Sequence, residues 1–204
     1  MAEGNAKQGN SQPLTDTAAD GAWRTLERRL LVDRSPFARV YDDDVELPGG
    51  QIIKNFVRVE IAPFAIMFAL RGQGSDAQVA FVRQYRQAIS AFTLELPAGH
   101  IEADEDPFVT ARRELLEETG LQSDDWRNLG RFVIDANREC GYANTFLARN
   151  AQQVTDPNHG DLGDLTVVWL TLEETRQRWL AGAFISAPTT LCIGLALATI
   201  DSAV

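Results

Sequence analysis

The sequence predicts an α+β protein with a small antiparallel β-meander at its N-terminus. Segments that alternate apolar and polar residues, as strands do, recur along most of the chain. Segments with clear helix start and stop residues are fewer and lie in its second half. These elements follow no regular βαβ repeat, which favours an α+β arrangement or a mixed sheet between helices.

The chain is predicted to have three parts. Residues 1–21 are rich in Ala, Gly, Asn, Gln and Asp and have almost nothing to bury, so we expect a disordered tail. Residues 22–62 alternate apolar and polar positions around the turn sequence ELPGGQ, which predicts a meander of about three strands. Residues 63–204 contain the remaining strands and all the predicted helices, and form the main domain.

The main domain begins with a predicted hairpin, in which FAIMFAL and QVAFVRQYR flank the polar turn RGQGSDA. TLELPAG follows as a short strand that Pro97 ends, and an acidic segment with a helix comes next. Three further strands are predicted at WRNLGRFVID, GYANTFLAR and LTVVWLT. Two closing helices are predicted at LEETRQRWLAG and SAPTTLCIGLALATID, with Gly182 and Pro188 marking their ends.

Composition excludes several classes of partner. A net charge of -10 argues against nucleic acid or an anionic membrane, because both require a basic surface. Cys140 and Cys192 belong to no CxxC or Cys/His cluster, which is typical of reduced thiols in the cytoplasm. The N-terminus has no signal-peptide pattern, and the apolar stretch 191–200 is too short to span a bilayer. We expect a soluble, cytoplasmic protein.

The acidic segment predicts a helix with two different faces. Asp106 is a suitable N-cap, Pro107 suits the first helical position and Gly120 is a natural stop. At about 100° per residue, the apolar residues fall on one side of the helix and three glutamates on the other: Phe108, Ala111 and Leu115 against Glu114, Glu117 and Glu118.

These glutamates raise an electrostatic problem. Like charges at the i,i+4 positions Glu114 and Glu118 destabilise a helix by a few tenths of a kcal/mol. A hard divalent cation reverses this effect, because Mg²⁺ prefers carboxylate oxygens and water. Arg113 could orient one of the carboxylates through paired hydrogen bonds. From the residues alone, a metal site and a merely solvated helix face both remain open.

The same residues resemble a known motif. Gly99, Glu105, Arg113-Glu114, Glu117-Glu118 and Gly120-Leu121 stand at the spacings of the Nudix box. The resemblance implies a loop–helix–loop on a mixed α/β/α sandwich, and an enzyme that hydrolyses a nucleoside diphosphate linked to another group. Gly99 and Gly120 would permit the turns of this motif.

The resemblance to the Nudix family also implies a cofactor and its ligands. Mg²⁺, or Mn²⁺, would be held by the carboxylates of Glu114, Glu117 and Glu118 and by the backbone carbonyl of Ala98. Arg113 would orient the glutamates, and Glu105 would bind the metal or support its site.

A wider similarity, over roughly residues 25 to 200, is to the ADP-ribose pyrophosphatase branch of this family. It rests on FVRQYR, TLELPAGHIE, the N-terminal meander and GAFISAPTTLCIGLAL. The branch implies a homodimer that exchanges its N-terminal strands and shares its substrate sites. Arg83 and Arg86 would then neutralise phosphates or contact the terminal ribose, and Glu95 would lie at the edge of the substrate site.

The general base is harder to assign. In the resembling branch it is often a glutamate on a loop before the last strand, but here that loop reads NHGDLGD. Asp161 and Asp164 are the available carboxylates, and His159 is the nearest imidazole. We predict Asp161 as the base, Asp164 as a cap or brace of the next strand, and His159 as a surface residue. With Asp161, the predicted catalytic residues are Glu117, Arg113 and Glu139.

Substrate choice also stays open. ADP-ribose enzymes commonly have a Pro-Gly turn after the box, whereas IDANRECGYANTFLA keeps Gly141 and lacks the proline. We predict Gly141 as substrate-binding and Glu139 as an auxiliary metal ligand or base. ADP-ribose is the first predicted substrate. The alternative substrates are GDP-mannose, another nucleoside diphosphate sugar and a dinucleotide. The alternative functions are a non-catalytic nucleotide sensor and a domain without a site.

Overall fold

A computed structural model describes residues 21–158 and 165–202. The described chain divides into two compact units. The first, here called the meander unit, comprises the described chain up to Pro63 together with Val133–Tyr142. The second, here called the sheet unit, comprises Phe64–Phe132 and the described chain from Ala143 onward.

The meander unit contains a three-stranded antiparallel sheet in the order β1-β2-β3. Its strands are β1 (Arg24–Arg34), β2 (Ala38–Glu46) and β3 (Ile52–Ile61), which confirms the predicted N-terminal meander. Ion pairs follow the strand register, because Arg24 faces and bonds Glu46, and Arg28 faces and bonds Asp43. Directly opposed opposite charges favour this register over a slipped one.

The sheet unit is built on a seven-stranded mixed sheet. Its central order is β12-β5-β4-β10-β9, with β6 paired to β5 and β7 paired to β4, and a separate two-stranded sheet joins β8 to β11. The strands are β4 (Phe64–Arg71), β5 (Gln78–Arg86), β6 (Ala91–Glu95), β7 (Ala98–His100), β8 (Leu121–Gln122), β9 (Asp125–Val133), β10 (Tyr142–Arg149), β11 (Gln152–Gln153) and β12 (Thr166–Thr171). β4 and β10 are parallel, whereas β5 pairs antiparallel with β4, β6 and β12.

Helices cover both faces of this sheet. They are α1 (Pro107–Thr119), α2 (Leu172–Leu180) and α3 (Ala187–Asp201). Residues of β5 alternate between two cores: Val79 and Phe81 pack in the core that contains α3, and Ala80 packs in the core that contains α1. The predicted mixed α/β/α sandwich is confirmed. None of the helices in the described part of the chain has the length and apolar character needed to span a bilayer.

One predicted strand differs in the structure. TLELPAG is not a single strand but parts of two, β6 and β7, separated by Leu96 and Pro97. The first pairs with β5 and the second with β4. Proline lacks the N–H that a ladder needs, so the chain changes its partner strand at this point.

Candidate active site

The acidic helix α1 begins and ends where the sequence predicts. The Asp106 carboxylate accepts a hydrogen bond from the N–H of Phe108 at 2.7 Å, and Pro107 is the first helical residue. At the other end Gly120 adopts φ 71°, and its N–H donates to the carbonyl of Leu116 at 2.8 Å. Ala111 and Leu115 on the opposite face are fully buried. Burial of this face therefore sets which way the glutamates of α1 point.

Arg113 lies among three carboxylates. Its guanidinium donates to both oxygens of Glu105 at 3.2 Å, to Glu114 at 2.6 Å and to Glu117 at 3.2 Å. The hydrogen bonds from Arg113 to Glu105 are the largest cause that lowers the pKa of Glu105 to about 2. Arg113 thus joins the loop that precedes α1 to the glutamate face, and its orienting role stays a prediction.

Glu118 is a partly buried carboxylate with one hydrogen bond to the backbone. One of its oxygens accepts the backbone N–H of Ala98 at 2.9 Å. Burial, with the nearby charge of Glu114 as a smaller cause, raises its pKa to about 8. The pKa of Glu114 is also raised, mainly by burial and in spite of Arg113. Two adjacent carboxylates on one helix face are therefore held where negative charge is unfavourable.

Gly99 leaves the space that Glu114 occupies. A Cβ atom placed on Gly99 would lie 1.8 Å from Cδ of Glu114 and 2.1 Å from its Oε1, closer than non-bonded atoms can approach. Gly99 is in β7, which pairs with β4 beneath α1. The glycine of the motif is thus required by a carboxylate rather than by its own backbone angles.

The donor set suits a hard cation. Every candidate ligand is an oxygen atom, the kind that Mg²⁺ and Mn²⁺ prefer. A cation beside Glu114 and Glu118 would offset the negative charge that burial disfavours. Within residues 21–158 and 165–202, however, no three Asp, Glu, His or Cys side chains form a ready ligand group. In the same part of the chain, Arg113 bonds Glu114 and Glu117, and Glu118 accepts the N–H of Ala98.

Arg86 and Glu95 lie on the α1 side of the sheet. Arg86 donates to both oxygens of Glu95, at 3.1 and 2.6 Å. The charges of both residues influence the pKa of Glu118, which places them near the carboxylates of α1. Thr93, which sequence analysis did not single out, donates to Glu95 at 2.7 Å. The available signal was its position two residues before Glu95, on the same strand face.

Arg83 lies on the opposite face of the same hairpin. Its guanidinium is 3.7 Å from the ring centroid of Phe92, which in turn packs against Tyr85. Arg83 and Arg86 are three positions apart on one strand, so their side chains point to opposite faces. The structure therefore brings Arg86, and not Arg83, towards α1.

Two other predicted site residues belong to the meander unit. Glu139 has φ 55° and forms an ion pair with Arg58. Gly141 has φ 74°, and a Cβ atom there would lie 2.4 Å from Cγ1 of Ile61, so a glycine is required. The predicted base Asp161, with His159 and Asp164, lies outside the described residues.

The segment that leads to Asp161 is attached to the end of α1. The N–H of Asn158 donates to the carbonyl of Glu117 at 2.7 Å, and that of Val154 donates to Gly120 at 3.0 Å. A Cβ atom on Gly120 would lie 2.1 Å from the carbonyl oxygen of Thr155. Gly120 therefore serves both as the helix stop and as the surface on which this segment packs.

We expect the stability of the metal-free protein to fall as pH rises from about 5 to about 8. Folding raises the pKa of Glu118 from 4.5 to about 8. A group with a raised folded pKa stabilises the protein below its unfolded pKa, and this contribution is lost as pH rises through the folded pKa. The raised pKa of Glu114 acts in the same direction, whereas that of Glu105 changes stability only at lower pH.

Urea unfolding at several pH values, with a chelator present, measures this effect. In Glu118→Gln the decline should be smaller, because an amide carries no charge to bury. A wild-type protein whose free energy of unfolding rises over this pH range would contradict the burial of Glu118.

The site and the fold together define a class of enzyme. A mixed sheet lies between helices, one helix presents three glutamates, and Arg113 bonds two of them, Glu114 and Glu117. The NUDIX domain model matches residues 62–187. The chain belongs to this family and is a Nudix hydrolase.

The chain is also similar in sequence to individual proteins of known name. An ADP-ribose pyrophosphatase of Mycobacterium tuberculosis (strain ATCC 25618 / H37Rv) is 31% identical over 175 residues, which are 83% of this chain and 80% of that protein. A CMP-5'-(N-acetyl-N-hydroxy-3-aminopropyl)phosphonate hydrolase of Streptomyces rubellomurinus (strain ATCC 31215) is 30% identical, over 83% of this chain and 79% of that protein. The predicted similarity to the ADP-ribose pyrophosphatase branch is confirmed.

A solved structure has the same fold. A crystal structure described as that of an ADP compounds hydrolase matches with a TM-score of 0.71 at 19% identity. The match covers 89% of this chain and 95% of that one.

Proposed function

We propose that this Nudix hydrolase cleaves the pyrophosphate of a nucleoside diphosphate sugar with the help of a divalent metal ion. ADP-ribose, which would yield AMP and a sugar phosphate, is the leading substrate. The observation that carries the proposal is the pair of partly buried carboxylates Glu114 and Glu118 on one helix face, whose raised pKa values favour a bound cation.

In this proposal the ion is Mg²⁺, with Mn²⁺ as the alternative. It would be held by Glu114, Glu117, Glu118 and the carbonyl of Ala98. When bound, the ion supplies positive charge that offsets the charge of the phosphates and favours attack by water. Arg113 would keep Glu114 and Glu117 in place, and Glu105, whose lowered pKa keeps it ionised, would anchor Arg113.

Arg86 is the proposed phosphate ligand of the chain. Nε and Nη2 of Arg86 donate to Glu95, which leaves Nη1 of Arg86 to donate to a phosphate oxygen. Glu95, held by Thr93, would then act by orienting Arg86. Arg83 points to the other face of the hairpin, so in this proposal it would contact the substrate only on that face.

Asp161 is the proposed general base. Asn158 is attached to Glu117, the third glutamate of α1, by a backbone hydrogen bond. Asp161 follows Asn158 by three positions in the sequence. As the base, Asp161 would take the proton of the attacking water. Glu139 is the alternative base, and Gly141 a proposed substrate contact, by resemblance alone.

Asp161→Asn is expected to reduce turnover by about two orders of magnitude, because general-base catalysis contributes on that scale. Glu139→Gln is the matched comparison and should retain most of the activity. Steady-state hydrolysis over a range of pH would measure both. Survival of activity in Asp161→Asn, with its loss in Glu139→Gln, would move the base to Glu139.

A substrate panel tests the main proposal. The protein is incubated with Mg²⁺ and, separately, with ADP-ribose, GDP-mannose, UDP-glucose and a diadenosine polyphosphate, and released monophosphate is measured. We expect ADP-ribose to be cleaved fastest, and only with the metal present. Cleavage of none of them, with nucleotide binding intact, would favour a nucleotide sensor instead.

A second substrate class is favoured by one comparison. The Streptomyces relative, named for a CMP-linked phosphonate, covers as much of this chain as the mycobacterial ADP-ribose pyrophosphatase does. Together with the missing proline near Gly141, this keeps other nucleoside-linked compounds as candidates. A cytidine compound cleaved faster than ADP-ribose would establish that alternative.

The meander unit is proposed to form a homodimer. It exposes large apolar side chains, among them Leu30 at 52%, Leu31 at 57% and Phe37 at 67%. An isolated three-stranded sheet gains stability when such a surface is covered. Light scattering in solution should give twice the mass of one chain, and the mass of a single chain at micromolar concentration would reject the dimer.

A further inference from the structure

The corner between β6 and β7 is a weak point in the hydrogen bonding of the sheet. β6 pairs with β5 up to Glu95, and β7 pairs with β4 from Ala98. Between them, Pro97 has no N–H, and the N–H of Leu96 has left the ladder. The Leu96 side chain is only 1% exposed. Because a buried backbone N–H without a partner is costly, the donor of Leu96 needs an acceptor from elsewhere.

Thr189 provides that acceptor. The N–H of Leu96 donates to its hydroxyl oxygen at 3.4 Å. Thr189 is fully buried and lies in the first turn of α3, in the core opposite α1. The Thr189 side chain, on the helix that covers the face of the sheet opposite α1, thus fixes the backbone of this corner.

The corner lies between two contacts of the candidate site. Glu95, on one side, holds Arg86. Ala98, on the other, donates its N–H to Glu118 at 2.9 Å. Between them, the carbonyl of Pro97 accepts the N–H of Met67 at 3.0 Å. A shift of the Leu96 peptide therefore has two routes to the site, through Glu95 and through Ala98.

We propose that Thr189 is a positioning residue of the active site. Its hydroxyl fixes the Leu96 peptide and so sets where Ala98 meets Glu118 and where Glu95 holds Arg86. This inference rests on the proposed function, in which Ala98 and Glu118 hold the metal ion. Residues that orient metal ligands commonly change metal affinity by 10- to 100-fold when they are replaced.

The test compares Thr189→Val, which keeps the shape but removes the acceptor, with Thr189→Ser, which keeps the hydroxyl. Thr175→Val is the matched control, because Thr175 is also fully buried but its hydroxyl donates to Thr171 in the capping turn of its own helix. Amide hydrogen exchange by NMR in metal-free protein is the first readout. The dissociation constant for Mn²⁺, from the electron paramagnetic resonance signal of the free ion, is the second.

In Thr189→Val we expect exchange at Leu96 and Ala98 to be roughly tenfold faster, as the loss of one hydrogen bond implies. The Mn²⁺ dissociation constant should rise about tenfold. Thr189→Ser should stay close to wild type in both readouts, and Thr175→Val should change neither at these positions. If Thr189→Val folds poorly, Thr189→Ala against Thr175→Ala makes the same comparison.

Equal changes in the Thr189 and Thr175 variants, or no rescue by Thr189→Ser, would overturn the proposal. The two readouts also separate it from the proposed function. If the wild-type protein binds no Mn²⁺, the proposed function fails and the metal role of Thr189 with it. Exchange at Leu96 and Ala98 would still show whether the hydroxyl holds the corner.

Discussion

Glu118→Gln is expected to reduce turnover by at least about two orders of magnitude, because the proposed metal ion would lose a charged ligand. Glu118 is the most deeply placed of the three glutamates, with burial raising its pKa to about 8. The amide oxygen of Gln can still accept the N–H of Ala98, so the variant keeps the local geometry and loses only the charge.

The same substitution should stabilise the metal-free protein near pH 8. A neutral amide removes the cost of a buried carboxylate beside Glu114. Lower activity together with higher stability distinguishes a lost ligand from a damaged fold. Glu173→Gln, at an exposed position on α2, is the control and should leave both quantities unchanged. Normal turnover in Glu118→Gln would remove Glu118 from the site.

Gly99→Ala is expected to cost about 10²-fold in turnover, the scale on which misplacing a catalytic group by about 1 Å acts. The new methyl group would meet Cδ of Glu114 at 1.8 Å, and the backbone of β7 is held by its pairing with β4. Glu114 must therefore leave its place between Gly99 and Arg113. Steady-state kinetics and the Mn²⁺ dissociation constant would measure the loss.

Gly49→Ala is the matched control for Gly99→Ala. No atom lies within 4 Å of a Cβ placed on Gly49, so the control should keep full activity. An active Gly99→Ala protein with wild-type affinity for Mn²⁺ would show that Glu114 is not needed where the structure places it.

Helix α1 and its glutamate face could be predicted from sequence because their causes are local. Asp106, Pro107 and Gly120 set the ends of the helix, and the helical period sets the side on which the glutamates lie. The sequence separation of three or four residues that brings glutamates together on a helix needs no tertiary information.

The rest of the site depends on contacts that join distant parts of the chain. FVRQYR indicates a strand, but strand pairing decides that Arg86 meets Glu95 and that Arg83 meets Phe92. The contact of Leu96 with Thr189 joins residues 93 positions apart. No local pattern records the contact with Thr189, which is why sequence analysis missed it, whereas the bond from Thr93 to Glu95 spans only two residues of one strand.

The meander unit shows the same limit on a larger scale. The segment Val133–Tyr142 groups with strands that precede it by about 80 residues, since Val59 donates its N–H to Arg138 and Arg58 pairs with Glu139. The sequence of this segment shows only an irregular stretch between two strands. Its assignment to the meander unit requires the folded chain.

We propose that the glutamate face of α1 holds a divalent ion. Isothermal titration calorimetry with Mn²⁺, in the presence of AMP, tests it most directly on wild-type protein and Glu118→Gln. We expect saturable uptake by the wild type, and a dissociation constant at least about tenfold higher in the variant. Equal affinity in both proteins, or no uptake by the wild type, would contradict the claim.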